Sequence, residues 1–308
     1  MANGGASVGS ILSGAFRLFK EQPVTVAIWI GIFVAYGLLS NALLLGGFGT
    51  DLEALRSGQV SPASAIGAGL LGALLGLLFF AVMSCAIFRA ILRPEDGGFA
   101  WLKFGMDEFR MMGLYLILIV VGGFFALIAG LVVFFMVGGA ALAAGAMPGA
   151  GTVLFMFLFM LLLFVGLVYV LVRLSLVGPL TFLRRRIAID DGWALSRGNF
   201  WKLFLVYLVL GIIMMVLQMV VPSIPGQPGF MQVLQNFGDP DAMQAMQQVE
   251  IGSITIAAML PYVLIASIVQ AIAHVLNNGA ISTAVRELLH DEGEVLDDEV
   301  ERTGQIFE

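Results

Sequence analysis

Six long, nearly unbroken apolar runs constrain this chain more than any other feature: about Val24 to Leu45, Ala65 to Leu92, Met111 to Val137, Thr152 to Val177, Phe200 to Val221 and Ser253 to Leu276. The hydrocarbon core of a bilayer is about 30 Å thick and is crossed by roughly 20 helical residues, so each run is long enough to span. Backbone in lipid must satisfy its own hydrogen bonds, which leaves helices and closed barrels. The runs are continuous rather than alternating, and this excludes barrel strands. The expected fold class is therefore all-α, a polytopic transmembrane bundle of six spans. At 60% hydrophobic and 12% charged residues, the composition is far from the roughly 45–50% apolar and about 25% charged residues of soluble domains.

An even number of spans puts both termini on one side. Of the 15 Lys and Arg residues, only Arg56 falls in the first, third or fifth connection. The others cluster in the N-terminal segment, the second and fourth connections and the C-terminal segment, which are therefore expected to be cytoplasmic. The opening "MANGGASVGS" has no cationic stretch ahead of an apolar one, so the first run is expected to stay in the mature protein. The far-side connections are small-residue-rich (Gly138 to Gly151) or rich in Pro, Gln and Met (Pro222 to Glu250), with a short helix expected near Asp239 to Val249. The net charge of −6 is a property of the tail: Glu287 to Glu308 holds nine acids and one arginine, leaving residues 1 to 286 with 14 bases and 12 acids. Residues 291–308 read as a solvated acidic tail. The single cysteine, Cys85, can form neither an intramolecular disulfide nor a thiolate cage.

Ahead of the first span, Ser7 to Lys20 is expected to be an interfacial helix, with Val8, Ile11, Leu12, Ala15 and Phe19 opposite Ser10, Ser13, Arg17 and Lys20. Phe99 to Arg110 repeats the pattern. Three entries share a leucine, a glycine, a phenylalanine and then a base: "LSGAFR", "LKFGMDEFR" and "LSRGNFWK". Arg17 and Arg110 are 93 residues apart, and Arg110 and Lys202 are 92 apart. The exits "FRAILRPEDG", "LRRRIAIDDG" and "VRELLHDEG" match as well, with 8, 8 and 7 residues from base to glycine. The implied organisation is a six-helix membrane domain over residues 1–290. It is built from three parallel tandem repeats, about 7–97, 98–192 and 193–293, each an amphipathic helix followed by a transmembrane hairpin.

The acidic pairs Glu95-Asp96, Asp190-Asp191 and Asp291-Glu292 are the candidates for a cation site. A single pair does not share a helix face, so Asp96, Asp190, Asp191 and Asp291 could hold a cation only by converging near the pseudo-threefold axis. Alternatively, each pair ends one helix and supplies a cap and a favourable charge to the next. At membrane depth, Arg173, His274, Gln270, Asn277 and Asn278 are candidates for binding a lipid phosphate, because polar groups there are costly. Arg173 and His274 each precede a repeat glycine by 19 residues and are expected to meet. Snorkelling to headgroups is the competing account. Arg17, Trp101, Arg110, Trp193, Trp201 and Lys202 read as interfacial anchors. Gly72 and Gly76, with Gly122, Gly123, Gly130 and Gly166, read as points of tight helix packing, and Pro261 as a kink in the sixth span.

No Walker loop, HExxH, Gly-x-Ser-x-Gly or Cys/His metal spacing occurs, so no catalytic residue, metal or cofactor is expected. No acid lies in mid-span, which weakens a proton- or sodium-coupled transport reading. The stretches "RLSLVGPLTFLRRRIAIDDGWALSRGNFWKLF" (Arg173 to Phe204) and "RAILRPEDGGFAWLKFGMDEFR" (Arg89 to Arg110) resemble bacterial six-helix proteins related to the membrane domain fused to some glycerophosphodiester phosphodiesterases. In those fusions hydrolysis belongs to a soluble barrel with a His-Arg-Gly signature, which this chain lacks. The resemblance implies a membrane module in lipid or envelope physiology, located in the bacterial inner membrane. Its expected partners are membrane lipids and other membrane or envelope proteins, not nucleic acid. The expected function is non-catalytic lipid or partner binding, with a transporter or channel as the alternative and an inner-leaflet enzyme as a third class.

Overall fold

The computed structural model describes residues 6–43, 62–144, 150–219, 221, 256–291 and 293. The expected helix near Asp239 to Val249, Arg56, Glu292 and the tail beyond 293 lie outside them. Every regular element among the described residues is helical. In chain order they are α1 (Val8–Glu21), α2 (Pro23–Ala42), α3 (Pro62–Leu92), α4 (Met106–Ala144), α5 (Ala150–Leu174), α6 (Val177–Arg184), α7 (Ile189–Arg197), α8 (Phe200–Gln218) and α9 (Ile256–Asp291), with single 3-10 turns at Pro94–Asp96 and Phe99–Trp101. Six helices are long and apolar enough to cross a membrane, so the chain is a multi-pass helical membrane protein.

The helix α9 is the hub, packing against α1, α2, α3 and α8. It runs on through Pro261 and receives its neighbours at small residues. Gly14 of α1 sits on Thr283, Gly37 of α2 on Ser267, and Gly279 approaches the backbone of Ala15, where an added Cβ would stand 3.3 Å from Ala15 Cα. The sequence-expected close-approach glycines behave differently. A Cβ on Gly72, Gly122, Gly123, Gly130 or Gly166 meets no described atom within 4 Å, and Gly76 alone of that set has a neighbour, the Tyr36 hydroxyl.

Two expectations for the entry helices are corrected. The first concerns α1, which is amphipathic and opens with a reciprocal Ser7–Ser10 capping box. Its apolar face, centred on Ile11, Ala15 and Leu18, is buried against α9 and α8 rather than laid on lipid. The Ser10 hydroxyl donates to Glu287 at 2.6 Å, and the Ala6 amide to Asp291 at 2.8 Å. The second is that Phe99 to Arg110 is not one helix. Ala100 and Trp101 take positive φ of 51° and 54°, a region costly for side-chain-bearing residues, and α4 starts only at Met106. The turn is held because its carbonyls are captured elsewhere: Trp29 Nε1 donates to Ala100 O at 3.0 Å and Arg89 Nη1 to Trp101 O at 3.2 Å.

The N-terminal helix, the second and fourth connections and the end of α9 all lie on one side. Besides the α1–α9 contacts, Arg93 of the second connection donates to Leu183 O in α6 at 2.7 Å, capping carbonyls at that helix's end. The core is concentrated at this base-rich side. Away from it, α4 from Leu116 to Val132 and most described residues of α5 present apolar side chains on all faces.

Candidate functional site

Arg173 lies in the last turn of α5. Only 8% of it is exposed. The neutral Tyr169 hydroxyl accepts from both Nε, at 3.2 Å, and Nη2, at 3.1 Å. The guanidinium carbon stands 5.4 Å from the centre of the Trp193 ring, which α7 brings alongside. Nη1 is buried with no acceptor, and no described acid pairs with this arginine. Trp193 and Tyr169 therefore flank a cation that has no counter-charge among the described residues. Of the other sequence-expected anchors, Arg17 pairs with Glu21 at 3.0 Å and Arg110 with Asp107 at 2.8 Å. Trp101 Nε1 reaches Pro94 O at 3.4 Å, while Trp201 and Lys202 project outward, Trp201 being 72% exposed.

His274 does not meet Arg173, because α8 packs on both α5 and α9. Instead the Tyr115 hydroxyl donates to Ser84 Oγ at 2.8 Å, and Ser84 Oγ lies 3.1 Å from His274 Nε2. Phe33 and Phe80 flank the imidazole, each at a centroid distance of 5.4 Å. With Gln270 and Asn277, His274 lines a groove of about 300 Å³ between α8 and α9, completed by Tyr207, Leu210, Gly211, Met214 and Ala273. Asn278 is turned away and bonded within its own helix, Nδ2 donating to His274 O at 2.9 Å.

The described members of the acidic pairs are not brought together. Asp96 faces Lys103 at 3.8 Å, Asp191 takes Arg184 at 3.1 Å and Arg186 at 2.6 Å, Asp190 is exposed in the first turn of α7, and Asp291 accepts from Ala6. Among the described residues no group of three His, Cys, Asp or Glu side chains could hold a metal. The aspartates of α7 supply a favourable charge at a helix N-terminus but no side-chain cap, and Gly192 lies inside α7 rather than stopping a helix. Its missing Cβ admits Val177, whose Cγ2 would be 2.6 Å away.

One polar centre escaped sequence reasoning: Arg89 Nη2 pairs with the fully buried Glu108, whose other oxygen accepts from Gly105 N at 2.8 Å. Glu108 stands three residues after the helix-entry position Gly105, the spacing of a capping-box acid, and that is the signal by which it could have been found. The chain matches no family model, no curated protein and no solved structure.

Proposed function

We propose that the chain is a non-catalytic lipid-binding module of a bacterial inner membrane, and that it holds the anionic headgroup of a lipid on Arg173. The observation that carries this reading is a buried guanidinium with an orphaned Nη1 and no acid beside it among the described residues. A buried charge costs several kcal/mol unless paired, and the Nε/Nη2 edge, now resting on one phenol oxygen, has the fork geometry that matches two phosphate oxygens. Tyr169 is 41% exposed, so its ring can give way to an incoming headgroup from the lipid side. The resemblance to membrane domains fused to glycerophosphodiester phosphodiesterases fits a role in lipid physiology, and the sequence offers no catalytic motif of its own.

Native mass spectrometry of the full chain, released from membranes in mild detergent, tests this. Arg173→Gln is expected to lower retained anionic lipid about ten-fold or more, in line with the roughly 1.5–3 kcal/mol of hydrogen bonds to charged groups. Tyr169→Phe removes the competing phenol and is expected to raise retention. Equal anionic lipid in wild type and both variants would overturn the reading.

A further inference from the structure

We infer that the second connection is a re-entrant wedge, seated by Phe99, Phe104, Met106 and Phe109 in the glycerol and upper acyl region of the leaflet on the base-rich side. This inference stands apart from the Arg173 reading and holds whether or not an anionic lipid sits there.

Two hydrogen bonds fix how far the connection turns back. Trp29 stands six residues, about 9 Å, inside the start of α2, and helical side chains lean toward the helix start. Its Nε1 donates to Ala100 O, which sets Ala100 level with the first turns of that span. Arg89 is three residues, about 4.5 Å, before the end of α3, and its Nη1 donates to Trp101 O. The chain has therefore left α3 at Leu92 and come back alongside both helices by Trp101. Ala100 joins the core cluster of Trp29, Phe33 and Ile87, with Trp101 and Leu102 packed against it.

The backbone of the turn is satisfied by protein where an aqueous loop can leave it to water. Phe99 O accepts from Leu102 N at 3.0 Å, Ala100 O from Trp29 and Trp101 O from Arg89, while Gly105 N donates to Glu108. Irregular backbone at a membrane boundary requires this. With the polar groups of the turn facing inward, the outward surface is apolar. Phe99 is 73% exposed, Met106 67% and Phe104 64%, and Phe104 meets Phe109 edge to face at 5.3 Å. That surface runs on into the span, because Phe109, Leu116, Val120 and Leu127 fall within about 20° of one line along α4 and all are exposed. The lipid that covers the stripe on α4 also covers the wedge.

Charge decides which surface this is. From Arg89 to Arg110 there are four bases and four acids, and the outer bases are matched locally, Lys103 by Asp96 and Arg110 by Asp107. The connection has no net charge with which to seek acidic headgroups or an acidic partner. What it offers is aromatic and thioether surface, which partitions into the boundary between headgroups and acyl chains by apolar burial. The occupant is the bilayer itself, and zwitterionic lipid serves as well as anionic.

The test is electron paramagnetic resonance power saturation of nitroxide labels in the full chain carrying Cys85→Ala. Phe99→Cys and Phe104→Cys are labelled separately, and Asp190→Cys supplies the water-exposed reference. All are measured in phosphatidylcholine nanodiscs with and without phosphatidylglycerol. Both wedge side chains are exposed, so neither label displaces a packed group. Relative to position 190, labels at 99 and 104 are expected to favour oxygen over a water-soluble nickel chelate several-fold, equally in both lipid compositions and in Arg173→Gln. Nickel access equal to that at 190 would put the connection in water. Low access to both reagents would mean that protein, a second copy or another chain, covers it. Lipid-like access only with phosphatidylglycerol present would make the contact electrostatic, and loss in Arg173→Gln would tie it to the other site. Each of these four outcomes would overturn the inference.

Discussion

Arg89 is 3% exposed and its partner Glu108 is fully buried. Around that pair the second connection is assembled: Arg89 also holds Trp101 O, Glu108 holds Gly105 N, and Phe182 lies between Arg89, at 5.5 Å, and Arg93, at 5.0 Å. Breaking a buried pair leaves an uncompensated charge, whereas replacing both partners with apolar residues of similar size is often neutral. Glu108→Ala is therefore expected to cost about 3–5 kcal/mol, and Arg89→Met with Glu108→Leu to recover most of it, read from thermal unfolding in detergent. A double variant no more stable than Glu108→Ala would show that the pair's worth lies in its backbone contacts. At this scale the sequence exposed costs but not partners. Arg173 and His274 stood out as polar groups at depth, and Tyr169 was one turn from Arg173 on the same face. Their separation by α8 depends on packing that helical periodicity does not encode. Glu108 did not stand out, because its partner Arg89 lies 19 residues away at the end of α3.

Among the elements, α1 shows how a correct pattern can have the wrong recipient. Its stripe was legible from spacing, yet a stripe specifies only that something apolar covers it. What covers it is the base-side third of α9, through Gly14 on Thr283 and Gly279 on Ala15. Gly14→Ala places a methyl into Thr283 and is expected to destabilise by about 1–3 kcal/mol, the usual cost of overpacking. Thr283→Gly in the same chain vacates that space. Recovery of the melting temperature in the double variant, beyond what Thr283→Gly gives alone, checks the contact, and simple additivity would count against it. The repeated entries and exits occupy comparable places along the chain but not equal structures: a 14-residue helix before the first hairpin, a 3-10 turn and extended segment before the second, and the 9-residue α7 before the third. Similar residues meet different neighbours at the three junctions, and tertiary context decides the local form.

The whole molecule combines a packed base-rich side with α4 and α5, where most described residues from Leu116 to Val132 and from Leu154 to Leu171 are exposed. Six spans require both ends on one side, and the structure binds those ends together through Ala6 with Asp291 and Ser10 with Glu287. The second and fourth connections join them through Arg93 and Leu183. That common side carries the Lys and Arg residues of every described segment, and short base-rich segments are retained in the cytoplasm. A fluorescent protein that matures only in the cytoplasm is therefore expected to fluoresce when fused after Glu308, and a periplasm-dependent phosphatase at the same point to be inactive. In a chain with Cys85→Ala, a cysteine placed at Gly145, in the connection between α4 and α5, is expected to react with a membrane-impermeant maleimide in intact cells. One placed at Arg185, between α6 and α7, is expected to react only after lysis. The reverse labelling pattern would place Arg173 on the outer leaflet, where the lipid proposed for it would have to be drawn from a different pool.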